Sequence, residues 1–385
     1  PCCLPTHADL RPRAPPAANM GGFMDSFKAS CKKMAKQQIN EAMAGGKNES
    51  ASGGGSASTG TRAPEDAEAY AKKVAEAIKA DVRMFSGCMD SQTSADVKDV
   101  SKFGLPDADG AGGACTNAML LTLSDERSDS WLGLLKGMQS VLKTKRFSQI
   151  PQLSTSREID VNDKFSLRNT AGDGSTKCLL IGINYIGQQG ELAGCHNDVD
   201  MMKKYITTHG YSMDPADCKV LMDDNVHGMP DHKGVIEGFR WLTADAKAGD
   251  SLFMHYSGED SAGPVRATSG DEADNMDETL VPVDYKSSGQ ITDDEILKEL
   301  VMVLPEGVTL TVVMDCCHSG SILDLPYALK ADEGTISAVE AGDVPSTISA
   351  NPGFDFAKAL AGGGGGVHIG ELPRVVYYPF LVKSW

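Results

Sequence analysis

The chain has 385 residues, more than one average domain needs, and suggests two or three units. Hydrophobic residues make up 41% and charged residues 23%, so a sizeable core is possible and wholesale disorder is excluded. Acidic side chains outnumber basic ones 53 to 36, for a formal charge of −17, and the basic footprint that nucleic acid requires is missing.

In chain order, residues 20–43 are expected to form a short basic helix, and the Gly/Ser-rich stretch 44–64 reads as a flexible linker. Residues 1–63 are therefore taken as an unstructured segment, and order is expected from Pro64. PEDAEAYAKKVAEAIKA opens on Pro and acids, as a helix start prefers. A short extended run follows at Asp81–Phe85, then a helix over 116–123. Trp131, Leu134, Leu135, Met138, Val141 and Leu142 recur at the spacing of one helical face. SQIPQL (148–153) reads as a strand closing the unit 64–165, and the polar stretch 166–176 as a boundary.

Strands and helices alternate over 177–330. KCLLIGINYI (177–186) is a continuous apolar run, as expected of a strand covered on both faces. A helix over 197–208 is expected, with Asn197 as its cap. KVLMDD, a helix near 233–247 and SLFMHYSG (251–258) repeat the pattern. Thr292 followed by Glu295 has the spacing of a capping box, and VTLTVVMD (308–315) is the last strong strand. Such alternation implies an α/β sandwich of three layers: a mostly parallel sheet with helices on both faces and a site beyond the strands' carboxyl ends. Residues 331–385 read as a poorly structured tail.

Ten cysteines are scattered without a CxxC pair, which gives zinc and thioredoxin-like sites little support. No apolar run reaches the roughly 18 residues of a membrane span, and residues 1–20 lack the apolar centre of a signal peptide. A cytoplasmic protein with reduced thiols and no membrane partner is the expectation.

Two motifs stand at strand ends: HYSGED over 255–260 and DCCHSG over 315–320. A thiol at such a turn becomes a nucleophile when its surroundings favour the thiolate, and backbone N–H groups there can hold an oxyanion. KCLLIGINYIGQQGELAGCHNDVDMM, DSLFMHYSG, DETLVPVDYKSSGQITDDEI and VVMDCCHSGSILDLPY together resemble the catalytic region of the metacaspases. SGCMDSQTSADV, GGACTNAMLLTL and FSQIPQLSTSREIDV resemble the family's small-subunit region, here placed first in the chain. That inverted order resembles the type III metacaspases, and the likeness covers roughly 80–330.

The resemblance implies a caspase-like fold and a calcium-dependent cysteine endopeptidase that cleaves protein or peptide substrates after Arg or Lys, expected as a monomer. It makes Cys317 the nucleophile, with Cys195, Asp198, Ser257 and Asp315 lining the pocket for the basic side chain. It puts Ca2+ on Asp277, Asp293, Asp294 and Asp324. One position departs from the pattern. The family's general base is the second His of HYSGHG, whereas this chain carries Glu259 and Asp260 there. A carboxylate beside the thiol raises its pKa, the opposite of what an imidazole does. A pseudoprotease that binds without turnover, an altered reading of residues 258–263 and unusual chemistry are the alternatives left open.

Overall fold

The computed structural model describes residues 64–88, 96–97, 99–104, 110–124, 129–169, 174–261, 278–316, 322–350 and 354. The segment 20–43 and the Gly/Ser stretch lie outside these.

The strands in chain order are β1 (Asp81–Ser86), β2 (Asp96–Val97), β3 (Gly112–Gly113), β4 (Gln152–Thr155), β5 (Thr176–Gly182), β6 (Cys218–Met222) and β7 (Ser251–Ser257). They continue with β8 (Asp260–Ser261), β9 (Thr279–Leu280), β10 (Ile291–Thr292), β11 (Thr309–Asp315), β12 (Tyr327–Lys330) and β13 (Ser349–Ala350). Eight of them form one sheet in the order β13-β12-β4-β1-β11-β7-β5-β6. β1, β11, β7, β5 and β6 pair in parallel, and β4, β12 and β13 add antiparallel at one side. All seven residues of β7 and of β11 are buried, which explains why apolar residues predominate in both.

β1 of the first region sits beside β11 of the second: Asp81 to Ser86 run alongside Thr309 to Met314 in register. The sheet is thus one structure drawn from both halves of the sequence, an α/β architecture of the caspase-like kind.

The helices used below are α1 (Pro64–Ala77), α2 (Ala114–Leu123), α3 (Trp131–Thr144), α4 (Cys195–Thr207), α5 (His232–Thr243), α6 (Asp293–Ile296) and α7 (Glu333–Ala341). α4 packs on β5 and β7, and α2 lies against α3, α4 and β11. α5 covers β5 and β6 on the other side of the sheet and meets the π-turn Leu297–Val301 that continues α6. Gly182 shows how tightly α4 seats. A Cβ there would stand 2.8 Å from the Cys195 carbonyl and from Val199. On the first region's side, Phe85 stacks on Trp131 at 5.9 Å between ring centroids and meets Phe165 edge-on.

Local signals explain the ends. Ser130 and Asp231 cap α3 and α5, and Thr292 and Glu295 make the reciprocal capping box. Two expectations need correction. Asn197 is not the cap of α4. That helix starts two residues earlier, Gly194 holds the cap position, and the Asn197 amide donates to the Ala111 carbonyl instead (3.0 Å). Nor is 331–350 structureless: Asp332 caps α7, Gly342 closes it in the left-handed region, and Ile336 and Val339 give it a buried face. β13 then returns to the sheet beside β12. Residues 355–385 lie outside the described residues.

Because β1 covers the flank of β11, residues 174–330 expressed alone should expose the unpaired edge of a buried, mostly apolar strand and self-associate. Size-exclusion chromatography would show aggregate, and co-expression with residues 64–169 should restore a soluble 1:1 species. A monodisperse 174–330 monomer would contradict this.

Candidate active site

The carboxyl ends of β7 and β11 stop together, with Ser257 and Asp315 as direct neighbours in the register. Asp198 projects from the first turn of α4 and is fully buried, and Asp315 is 5% exposed. Ser257 Oγ donates to Asp198 Oδ2 at 2.8 Å. Cys195 begins the same helix, and its N–H donates to Asn184 Oδ1 (3.0 Å). Asn184 is steadied in turn by Asp223, which accepts from its N–H at 2.9 Å. Burial opposes ionisation of Asp223, but hydrogen bonds from the Asn184 and Ile186 N–H groups and from the His196 ring hold it below the usual carboxylate range.

The first region supplies the other side. Gly113 N–H donates to Asp198 Oδ2 (2.7 Å), and Thr116 N–H donates to Asp315 Oδ2 (2.7 Å). Gly113 is the N-cap of α2 and has no side chain to offer, so the cap comes from Asp315 on another strand. Both acids thereby lie at the positive end of a ten-residue helix. Gly113 is also wedged between them: a Cβ there would lie 2.1 Å from Asp315 Oδ2 and 2.9 Å from Asp198 Oδ2. Those two distances place the carboxylate oxygens within about 5 Å of one another. Asn117, buried in the same turn, donates from Nδ2 to the Gly113 carbonyl (2.8 Å) and at 3.4 Å to Asp198 Oδ1.

Sequence reasoning missed Gly113, Thr116 and Asn117. Backbone N–H donors leave no trace in residue type; the one available signal was a pair of glycines opening a helix without a capping side chain.

The other expected site residues are more scattered. Asp293 opens α6 and is fully buried, Asp294 follows it, and Asp324 (φ 45°) is 8% exposed ahead of β12. Among the described residues no three His, Cys, Asp or Glu side chains gather into a group that could hold a metal ion. Asp277 and Cys317 lie outside the described residues. Cys316, next to Asp315, is buried, and its carbonyl accepts from Cys88 Sγ at 3.5 Å. Burial pushes the Cys115 thiol well above its ordinary value, with the negative charges of Asp315 and Asp198 adding to the effect. Cys178 and Cys218 are buried neighbours across β5 and β6.

His255 lies two residues before Ser257 on the same face of β7. It is fully buried, its Nε2 lies 3.1 Å from Thr116 Oγ1, and its Nδ1 has no hydrogen-bond partner. Burial lowers its pKa to about 3, so the ring is neutral near pH 7. A base that protonates near 6.5 when unfolded but only near 3 when folded favours the unfolded chain as the pH drops through that interval. Its contribution is therefore flat above 6.5 and is lost progressively down to about 3, at up to about 1.4 kcal/mol per pH unit. In urea titrations between pH 7 and 4, His255→Gln should show a shallower loss of stability than the wild type. Parallel curves would refute this.

Residues 176–326 match the metacaspase, peptidase C14 domain, and residues 22–161 match the caspase domain. Metacaspase III c of Phaeodactylum tricornutum is 47% identical over 302 residues, covering 76% of this chain and 86% of that protein. Metacaspase-1 of Mycosarcoma maydis is 47% identical over 156 residues, 40% of this chain and 38% of that protein. Metacaspase-1A of Aspergillus oryzae is 41% identical over 219 residues, 52% of this chain and 51% of that protein. The chain thus spans about half or less of these two fungal relatives but most of the diatom one. In the described residues no helix is long and apolar enough to cross a membrane. With a caspase-domain region preceding a metacaspase region and both contributing to one sheet, the chain belongs to the metacaspase family of C14 cysteine peptidases, in the type III arrangement.

Proposed function

We propose that the protein binds polypeptides through an Arg or Lys side chain at Asp198 and Asp315 and presents the carbonyl after it to the thiol of Cys317. The observation that carries this reading is the pair of buried carboxylates within about 5 Å. At an effective dielectric near 20, two full charges at that separation repel by about 3 kcal/mol. The neutral donors Gly113 N, Thr116 N and Ser257 Oγ lower the cost but leave the net charge in place. A head group with one positive charge and several N–H donors offsets it, and arginine and lysine are the side chains that have one.

In the reaction, the thiolate attacks the carbonyl carbon and the C–N bond breaks as the leaving amine takes a proton. Water then hydrolyses the thioester. Both proton transfers suit an imidazole, and position 259 offers a carboxylate. The Glu259 backbone is pinned: its N–H donates to Tyr185 Oη (3.0 Å), and its carbonyl accepts from Tyr256 Oη (2.8 Å) and Val281 N (3.3 Å). His255 is no substitute, being neutral, sealed in the core and held to Thr116. Recognition of the basic side chain is therefore intact while turnover is slow. Where turnover is absent altogether, the same pocket serves a binding or regulatory protein, the reading that Glu259 favours.

A fluorogenic peptide ending in Arg tests both halves. Glu259→His should raise kcat about a hundredfold or more, as a positioned general base does, and Cys317→Ala should remove all turnover. Asp198→Asn should raise KM. Fast wild-type turnover that Glu259→His does not improve would overturn the role given to position 259, and an unchanged KM in Asp198→Asn would overturn the pocket.

We infer further that calcium binds at the carboxylates expected for it, Asp277, Asp293, Asp294 and Asp324, although Asp293, Asp294 and Asp324 do not by themselves gather into a metal-holding group. Carboxylate oxygens are the hard donors that calcium takes, and the burial of Asp293 and Asp324 suits a site where a cation offsets buried charge. Calcium should raise the thermal midpoint of the wild type and not of Asp293→Asn. Equal midpoints with calcium and with a chelator would remove the proposal.

A further inference from the structure

Asn117 makes an asymmetric set of contacts. It is fully buried at the start of α2, and both neighbours of its Nδ2 are acceptors, the Gly113 carbonyl and Asp198 Oδ1. That fixes the amide's orientation, because the flipped form would set oxygen against oxygen at both contacts. The other end of the carboxamide, Oδ1, is buried and makes no hydrogen bond. A buried acceptor left unmade costs about 1–3 kcal/mol, and native folds retain few of them.

The surroundings say what would satisfy it. The same carboxamide touches Asp198, which with Asp315 forms the paired anionic site, and Gly113 separates the two acids. Beside two carboxylates, the missing donor is one that carries positive charge. A guanidinium brings five N–H donors, more than two carboxylates already partly satisfied by Gly113, Thr116 and Ser257 would take up.

We propose that Asn117 is a substrate-binding residue, whose Oδ1 accepts a hydrogen bond from the cationic head group held by Asp198 and Asp315. This rests on the cation pocket proposed above and deepens it. The pocket then has a wall from the small-subunit-like region, and the neutral acceptor adds a contact without a third negative charge. A ligand with more N–H donors gains more from it, so the contact favours guanidinium over ammonium.

The test uses the full-length chain and two small probes, butylguanidinium and butylammonium, measured by isothermal titration calorimetry. Wild type should prefer butylguanidinium. Asn117→Leu, similar in size but without the acceptor, should weaken butylguanidinium about tenfold and butylammonium less. Asp198→Asn should lose both probes. If Asn117→Leu binds both probes as the wild type does while Asp198→Asn binds neither, the role of Asn117 is refuted and the pocket stands. If the wild type binds neither probe, the pocket reading itself fails. Should Asn117→Leu not fold, a crystal structure of the wild type with butylguanidinium decides: a guanidinium nitrogen within about 3.2 Å of Oδ1 supports the assignment, and a longer separation overturns it.

Discussion

The first turn of α2 is where the two halves of the chain become one protein. Its orphan N–H groups have no side-chain cap of their own, and two acids from distant parts of the sequence supply the acceptors. Thr116 and Asp315 are 199 residues apart, and Gly113 and Asp198 are 85 apart, yet each pair is joined at 2.7 Å. The arrangement is reciprocal. The helix gains caps, and the acids gain fixed donors and the positive end of a dipole in a place where water is excluded. Only glycine at 113 permits it, since a side chain would enter the space of both carboxylates. The groups read here as gripping a substrate are therefore also those that fasten the first region onto the catalytic strands.

This explains why the order of the regions along the chain matters little. β1 pairs in parallel with β11, so its position is set by register and by the buried faces of both strands, not by which comes first. The connection from β4 to β5 needs only to be long enough, and the cost of closing a loop rises slowly with length. Residues on the way are anchored: Asn169 donates to Ser251 Oγ (2.8 Å), and Ser156 Oγ bridges Ala80 and Val82. The same logic accommodates β12, α7 and β13, which extend the sheet beyond β4.

Most of the sheet was legible in the sequence because buried parallel strands are rich in apolar residues. The segments 177–186, 251–258 and 308–315 each overlap a strand, and the helical spacing from Trp131 onward marks α3. α7 was not legible: it is short and carries only two buried apolar residues, so its periodicity is weak, although Asp332 and Gly342 are ordinary start and stop signals. Asn197 misled because its residue type suits a cap, while its amide is drawn to Ala111 by the docking of the first region. At the site, Asp198, Ser257 and Asp315 were assigned only through the family resemblance, and the backbone donors that orient them were not assigned at all. Tertiary contacts of this kind have no local pattern from which to be read.

The placement of groups along β7 separates the proposed recognition from the proposed chemistry. His255 and Ser257 share a face two residues apart, but one is a neutral core residue and the other a donor to Asp198. The groups proposed for recognition stand on the ends of regular elements: Asp198 on α4, Ser257 on β7, Asp315 on β11 and Asn117 on α2. Their geometry is fixed by the sheet and by the helices packed on it. The position proposed for proton transfer, by contrast, is the second of the two residues, Gly258 and Glu259, that join β7 to β8. A change at 259 can thus alter or remove the proposed base while the Tyr185 and Tyr256 hydroxyls keep its backbone in place and the proposed cation site keeps its shape. For this reason loss of an imidazole need not entail loss of binding, and a slow peptidase and a basic-peptide receptor can share one scaffold.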